Sequence, residues 1–208
     1  MKLISQNKLL VIVGTWNRNI FSKEWIKKYL LPKDGFTMEF SLDLVGSHRI
    51  SSKNVNIEFH SNKLNFIPKN DDIEVYEIIS GLAVKIADYL PHTPVIGYGI
   101  NFKFEGNANN IQYGLITTND VEKLVGYGAQ LINSQHRHSV KIDDIDDILV
   151  NISITMDNDR LYFDFNFHSD ITNLTQFKEK IYTSPIKKLH SIALDIMSNA
   201  YQVQIEGE

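Results

Sequence analysis

The chain has 208 residues, no cysteine, and a formal charge of -4 from 21 basic and 25 acidic side chains. That length suits one domain or two small ones and buries a core without disulfide or metal staples. Zero cysteine excludes thiol nucleophiles, thiolate zinc sites and redox motifs, and the acidic balance speaks against DNA binding driven by phosphate neutralisation.

The longest apolar run, Leu9-Leu10-Val11-Ile12-Val13, is far short of the roughly 20 residues of a spanning helix. Lys8 interrupts the apolar stretch and no small-residue cleavage site follows, so neither a secretory signal nor a membrane partner is expected, and the chain reads as cytoplasmic. Leu9 to Thr15, continuously apolar, reads as a strand deep in a sheet. Ser22 is placed to cap a short helix through Trp25, Ile26, Tyr29 and Leu30, stopped by Pro32. From Phe36 to Leu44 apolar and polar residues alternate, which predicts a strand with Phe36, Met38, Phe40, Leu42 and Leu44 inward. Val55, Ile57 and Phe59 alternate in the same way, and after Ser61-Asn62 the chain returns through Leu64 and Phe66 as a tight hairpin. Ile73, Tyr76, Ile79, Ala83, Ile86 and Leu90 follow helical spacing up to Pro91.

The second half repeats this order. Val95 to Phe104 predicts a strand, Thr118 to Ile132 a helix, and Ser139 to Ile142 a short strand. Ile148, Val150, Ile152, Ile154 and Met156 alternate up to the turn residues Asp157-Asn158-Asp159, and Leu161, Phe163, Phe165 and Phe167 alternate back. Ser184-Pro185 opens a final helix carrying Ile186, Leu189, Ile192, Ala193, Ile196 and Ala200. The expectation is an α+β chain: an antiparallel sheet with helices mainly on one face, made of two β-α-β-β-β-α halves, residues 1–94 and 95–208.

Clean alternation leaves one sheet face polar. Glu39, Asn56, Glu58 and His60 lie on it in the first half, and Asn101, Lys103, Asn151, Ser153, Thr155, Tyr162, Asp164, Asn166 and His168 in the second. Such a face is either a solvated surface or a polar cradle for a partner. The candidate site residues are Glu58, His60, Asn101, Asp164 and His168, because a carboxylate beside an imidazole can act as general base. No Gly-x-Ser-x-Gly elbow accompanies them, so no catalytic residue is assigned.

His136 and His138, two apart with Asp143, Asp144, Asp146 and Asp147 downstream, are the residues with metal-ligand chemistry. The ligand set is incomplete, and neither a metal nor any other cofactor is expected. Gly97-Tyr98-Gly99 and Gly126-Tyr127-Gly128 extend to no phosphate-binding pattern and read as packing features.

The segment Tyr89-Leu90-Pro91-His92-Thr93-Pro94-Val95-Ile96-Gly97-Tyr98-Gly99-Ile100-Asn101, with Leu161-Tyr162-Phe163-Asp164-Phe165 and a late Leu189-His190 helix, resembles a sporadically distributed group of uncharacterised bacterial proteins. The resemblance covers the order of the last two-thirds of the chain and implies no activity and no site residues. The doubled element order also looks like the saddle of TATA-binding proteins, but the acidic balance and the lack of lysine-rich flanks make nucleic acid an unexpected partner.

The function expected is therefore that of a non-catalytic interaction protein, an accessory or assembly subunit of a bacterial complex with a protein partner. The alternative is a small nucleotide- or RNA-binding module, or a hydrolase, using the polar-face His, Asp and Glu residues. Strand edges add an expectation of self-association. Ser139 to Ile142 is defended by aspartates, whereas Leu64 to Ile67 and Val95 to Phe104 carry little charge and, as edges, would pair into a two-fold homodimer.

Overall fold

The computed structural model describes residues 1–4, 7–31, 35–41, 47–107, 133–145 and 147–205. Among the described residues ten strands form an antiparallel sheet: β1 (Lys2–Leu3), β2 (Leu10–Gly14), β3 (Thr37–Glu39), β4 (His48–Ser51), β5 (Val55–Phe59), β6 (Lys63–Pro68), β7 (Val95–Asn107), β8 (Asn133–Lys141), β9 (Leu149–Asp157) and β10 (Arg160–Asp170). Their order is β3-β4-β5-β6-β2-β7-β10-β9-β8, with β1 added to β7. The helices are α1 (Lys23–Trp25, continued by a π-helical turn Ile26–Leu30), α2 (Ile73–Tyr89), α3 (Leu174–Thr183) and α4 (Ile186–Asp195, continued by a π-helical turn Ile196–Ala200). This is the α+β class that alternation implies. Among the described residues no helix is long and apolar enough to cross a membrane.

The chain divides into two compact units that do not follow chain order. The α2 unit comprises Ser5–Asn101 and Phe167–Leu189, and the β9 unit comprises Met1–Ile4, Phe102–Asn166 and His190–Glu208.

In the α2 unit, Leu10, Ile12, Ile57, Phe59, Leu64, Phe66, Tyr98 and Ile100 are buried on one sheet face. The helices cover that face. Phe21, just before α1, stacks on Phe59 with centroids 4.1 Å apart, and Phe177 of α3 meets Tyr98 edge-on at 5.2 Å. Val75, Tyr76, Ile79, Leu82, Ala83, Ile86 and Ala87 make the buried stripe of α2 at the predicted spacing. The capping role of Ser22 is realised: the Trp25 N–H donates to its hydroxyl at 3.2 Å. The Ser61-Asn62 turn closes a two-residue hairpin through His60 N–H to Lys63 O, 2.9 Å. At Gly14 a side chain would run into the Pro94 carbonyl, which the neighbouring Thr15 N–H needs as its acceptor at 2.8 Å.

In the β9 unit, Val150, Ile152 and Ile154 of β9 and Leu161, Phe163 and Phe165 of β10 are buried on one face. The β9–β10 hairpin turns at Asn158, whose φ of 52° suits an asparagine in the left-handed region. His190 of α4 packs against Phe102 at 5.1 Å and Phe104 at 6.0 Å. Burial lowers its pKa, so the ring sits neutral among aromatics.

Several expectations change. Leu64 to Ile67 and Val95 to Phe104 are not edges, because β6 lies between β5 and β2, and β7 between β2 and β10. Their low charge reflects interior strands, and the homodimer argument built on them falls. The predicted strand from Phe36 contracts to Thr37–Glu39, and Phe40 is exposed, resting edge-on against His48 at 4.9 Å. Leu42, Leu44 and the helix expected from Thr118 to Ile132 lie outside the described residues, as does Gly126-Tyr127-Gly128. Strand β4 and helix α3 were not anticipated.

Candidate functional site

Strand register places the polar residues in rows. In the α2 unit one row runs Glu39, Arg49, Glu58, Asn65, Val11 and Gly99 across β3, β4, β5, β6, β2 and β7. Directly opposed residues in an antiparallel pair share a face with Cβ atoms about 5 Å apart, so Glu58 and Asn65 meet across the hairpin. His60, two residues beyond Glu58, falls on the same side.

Asn65 is fully buried, and its Nδ2 donates to Glu58 Oε2 at 2.9 Å and lies 3.2 Å from His60 Nε2. His60 Nε2 is 3.5 Å from the same carboxylate oxygen. Burial opposes charge on Glu58, but hydrogen bonds from Asn65 and His60 and the charge of Lys8 outweigh it, holding the carboxyl below its ordinary value. The expected Glu58–His60 pair therefore forms, with a third member that the sequence reading did not name.

The other candidates engage elsewhere. Asn101 Nδ2 donates to the Lys8 carbonyl at 2.8 Å. His168 lies 3.2 Å from Asp170 and leans over Gly97, where a Cβ would stand 3.3 Å from its Cε1. A Cβ there would also stand 3.3 Å from the Ser169 carbonyl oxygen, so the position is tight for any side chain. Asp164, in the β9 unit, is 3.4 Å from Lys103. Of the five candidates, Glu58 and His60 meet, and the other three have partners of their own.

The β9 unit carries a different surface. Gln135 Nε2 donates to Ser153 Oγ at 3.1 Å and reaches Thr155 Oγ1 at 3.4 Å. Ser139 Oγ donates to Asn151 Oδ1 at 2.7 Å, and Asn151 Nδ2 donates to Asn166 Oδ1 at 3.0 Å. Beside this ladder Lys103 stands 5.0 Å above the Tyr162 ring. Ser153, Thr155, Tyr162, Asp164 and Asn166 are each part-exposed while their strand neighbours Ile152, Ile154, Phe163 and Phe165 are buried. This is the half-wet face that alternation implies.

His136 and His138 do share one side of an extended strand. It is the side that registers with Ile154 and Ile152, opposite the polar ladder. Among the described residues no three His, Asp or Glu side chains form a group able to hold a metal ion. On the helical side of the α2 unit, α2 and α3 leave an apolar groove of about 380 Å³ at Gly81, Val84, Ile181 and Tyr182. Sequence reading missed it because α3 was not seen.

No family model, no curated protein and no solved structure matches this chain.

Proposed function

We propose that the chain is an interaction protein, an accessory or assembly subunit of a bacterial complex, that takes a protein partner on the polar face of its sheet. The ladder from Gln135 through Ser153, Thr155, Asn151 and Asn166 supports this reading best. Ser153, Thr155, Asn151 and Asn166 are short, part-exposed and already held by hydrogen bonds, so they lose little freedom when a partner covers them. Neutral hydroxyl and amide groups also desolvate at lower cost than charges, which suits the interior of a polar contact.

The test is co-purification from a native host with the wild-type chain and with S153R/T155R, which builds two long charged side chains onto that face. The reading expects a protein lost from the variant while circular dichroism stays unchanged. The same proteins retained at the same stoichiometry would refute it.

A second reading follows from the Glu58–His60–Asn65 cluster: a nucleotide- or RNA-binding module, or a hydrolase, with Glu58 and His60 at its centre. Asp164 pairs with Lys103 and His168 lies beside Asp170. Nucleotide binding or turnover abolished by His60→Ala would favour this reading over the first.

A further inference from the structure

We propose that the outer edge of β8 accepts an extended acidic segment of a partner protein, added as a further strand of the sheet. The proposal deepens the interaction reading, on which it rests, by naming the chemistry of the partner. Three observations carry it.

The first is position. Strand β8 ends the sheet order, so its outer row of N–H and C=O groups faces no strand among the described residues. At nine residues it is long for an edge, and all of it except Ser134 and His136 is exposed. The other terminal strand, β3, has only three residues.

The second is charge. Between Asn133 and Lys141 there is no acidic residue, and the full charges are Arg137 and Lys141, both positive. They are four apart and therefore on one face, in register with Ser153 and Leu149 of β9. A strand added alongside would place its own same-face residues about 5 Å away, so acidic side chains four apart would meet both cations. The acidic turn Asp143–Ile145 directly after β8 ends the positive stretch, so the complementary segment ends there as well.

The third is the argument against a second copy. Antiparallel pairing of β8 with itself in the one register that keeps all nine residues sets Arg137 against another Arg137. Like charges directly opposed destabilise a strand pair. The same charges that repel a copy attract an acidic strand, and main-chain pairing supplies affinity while alternate side chains supply selectivity.

The probe is a nine-residue peptide of alternating threonine and valine with glutamate at its third and seventh positions, titrated against the full chain by fluorescence anisotropy. Binding is expected, weakened roughly tenfold or more by R137E/K141E and by raised salt. A peptide with lysine in place of glutamate, and one N-methylated at alternate residues on its pairing edge, should both fail to bind. Equal binding of the lysine peptide would remove the charge argument, and equal binding of the methylated peptide would remove strand addition. No binding of the glutamate peptide overturns the proposal outright, and self-association of R137S/K141S would then assign the two cations to keeping copies apart. Its failure is distinguishable from failure of the broader reading: a co-purifying protein held by R137E/K141E but lost from S153R/T155R removes the edge and leaves the face.

Discussion

The Glu58–His60–Asn65 cluster and the Gln135–Ser153–Asn151 ladder are built by the same rule, polar residues at alternate positions of antiparallel strands, yet they differ in depth. Asn65 is wholly out of solvent and locks a carboxylate and an imidazole together, whereas Ser153, Thr155 and Asn151 remain part-exposed. A buried polar network stabilises one arrangement and is costly to break, because a group stripped of its partner keeps its desolvation penalty. An exposed ladder loses little when a member is removed, since water replaces it. Depth therefore separates a polar group that holds the fold from one that is free to serve a partner.

The largest expected effect lies in the cluster. Asn65→Ala removes the donor to Glu58 and leaves its carboxylate in a poorly hydrated site, costing about 2–3 kcal/mol in urea unfolding. A loss under about 0.5 kcal/mol, within the range of ordinary surface substitutions, would show that the cluster is not structural. The cluster also titrates. The folded-state pKa of Glu58 lies below its unfolded value, so its stabilisation is present above about pH 4.5, the ordinary value, and is lost as pH falls through the folded pKa. Glu58→Gln, which keeps an acceptor for Asn65 without the titrating proton, should flatten that part of the stability curve.

A second, separate pH window belongs to His190. Its folded pKa is depressed by burial, so above the ordinary value of 6.5 it has no effect, and below it the unfolded chain takes up a proton that the buried ring refuses. Stability should fall as pH drops from 7 toward 5, and His190→Phe should reduce that slope. His48, depressed by burial and by the charge of Arg18, leaves a residual slope in the variant. An unchanged slope in His190→Phe would contradict the burial of the ring.

The smallest effect is expected in the ladder. Ser153→Ala and Thr155→Ala should each stay within about 0.5 kcal/mol of the wild-type stability, as surface substitutions usually do. Loss of more than about 1 kcal/mol from either would move the ladder into the same class as the Asn65 cluster.

How far these features could be read from sequence depends on how local they are. The β9–β10 hairpin, α2 and the polar-face parity of Glu58 and His60 were legible because a period of 2 or 3.6 is written in neighbouring residues. The partnership of Glu58 with Asn65 was legible too, in principle: a two-residue turn at Ser61-Asn62 fixes which residues face each other. Helix α3 had a local signal in the Asn173 side chain, which accepts from Gln176 N–H at 2.9 Å, and in Leu174, Phe177 and Ile181, but only three buried positions in ten residues leave the pattern sparse. Strand β4 is four residues long and buries Ile50 alone, too short for alternation to show. The rest is non-local. Asp164 with Lys103, and the interior placement of β6 and β7, depend on strand order, which pairs segments tens of residues apart and leaves no trace in local periodicity.

The claim that the polar face of the β9 unit is the contact surface is tested most directly by hydrogen–deuterium exchange on the chain alone and with the protein that co-purifies with it. The account expects new protection along β8 and β9, residues 133–141 and 149–157, with α2 unchanged. Protection confined to the α2–α3 groove, with β8 and β9 exchanging as in the free chain, would contradict it.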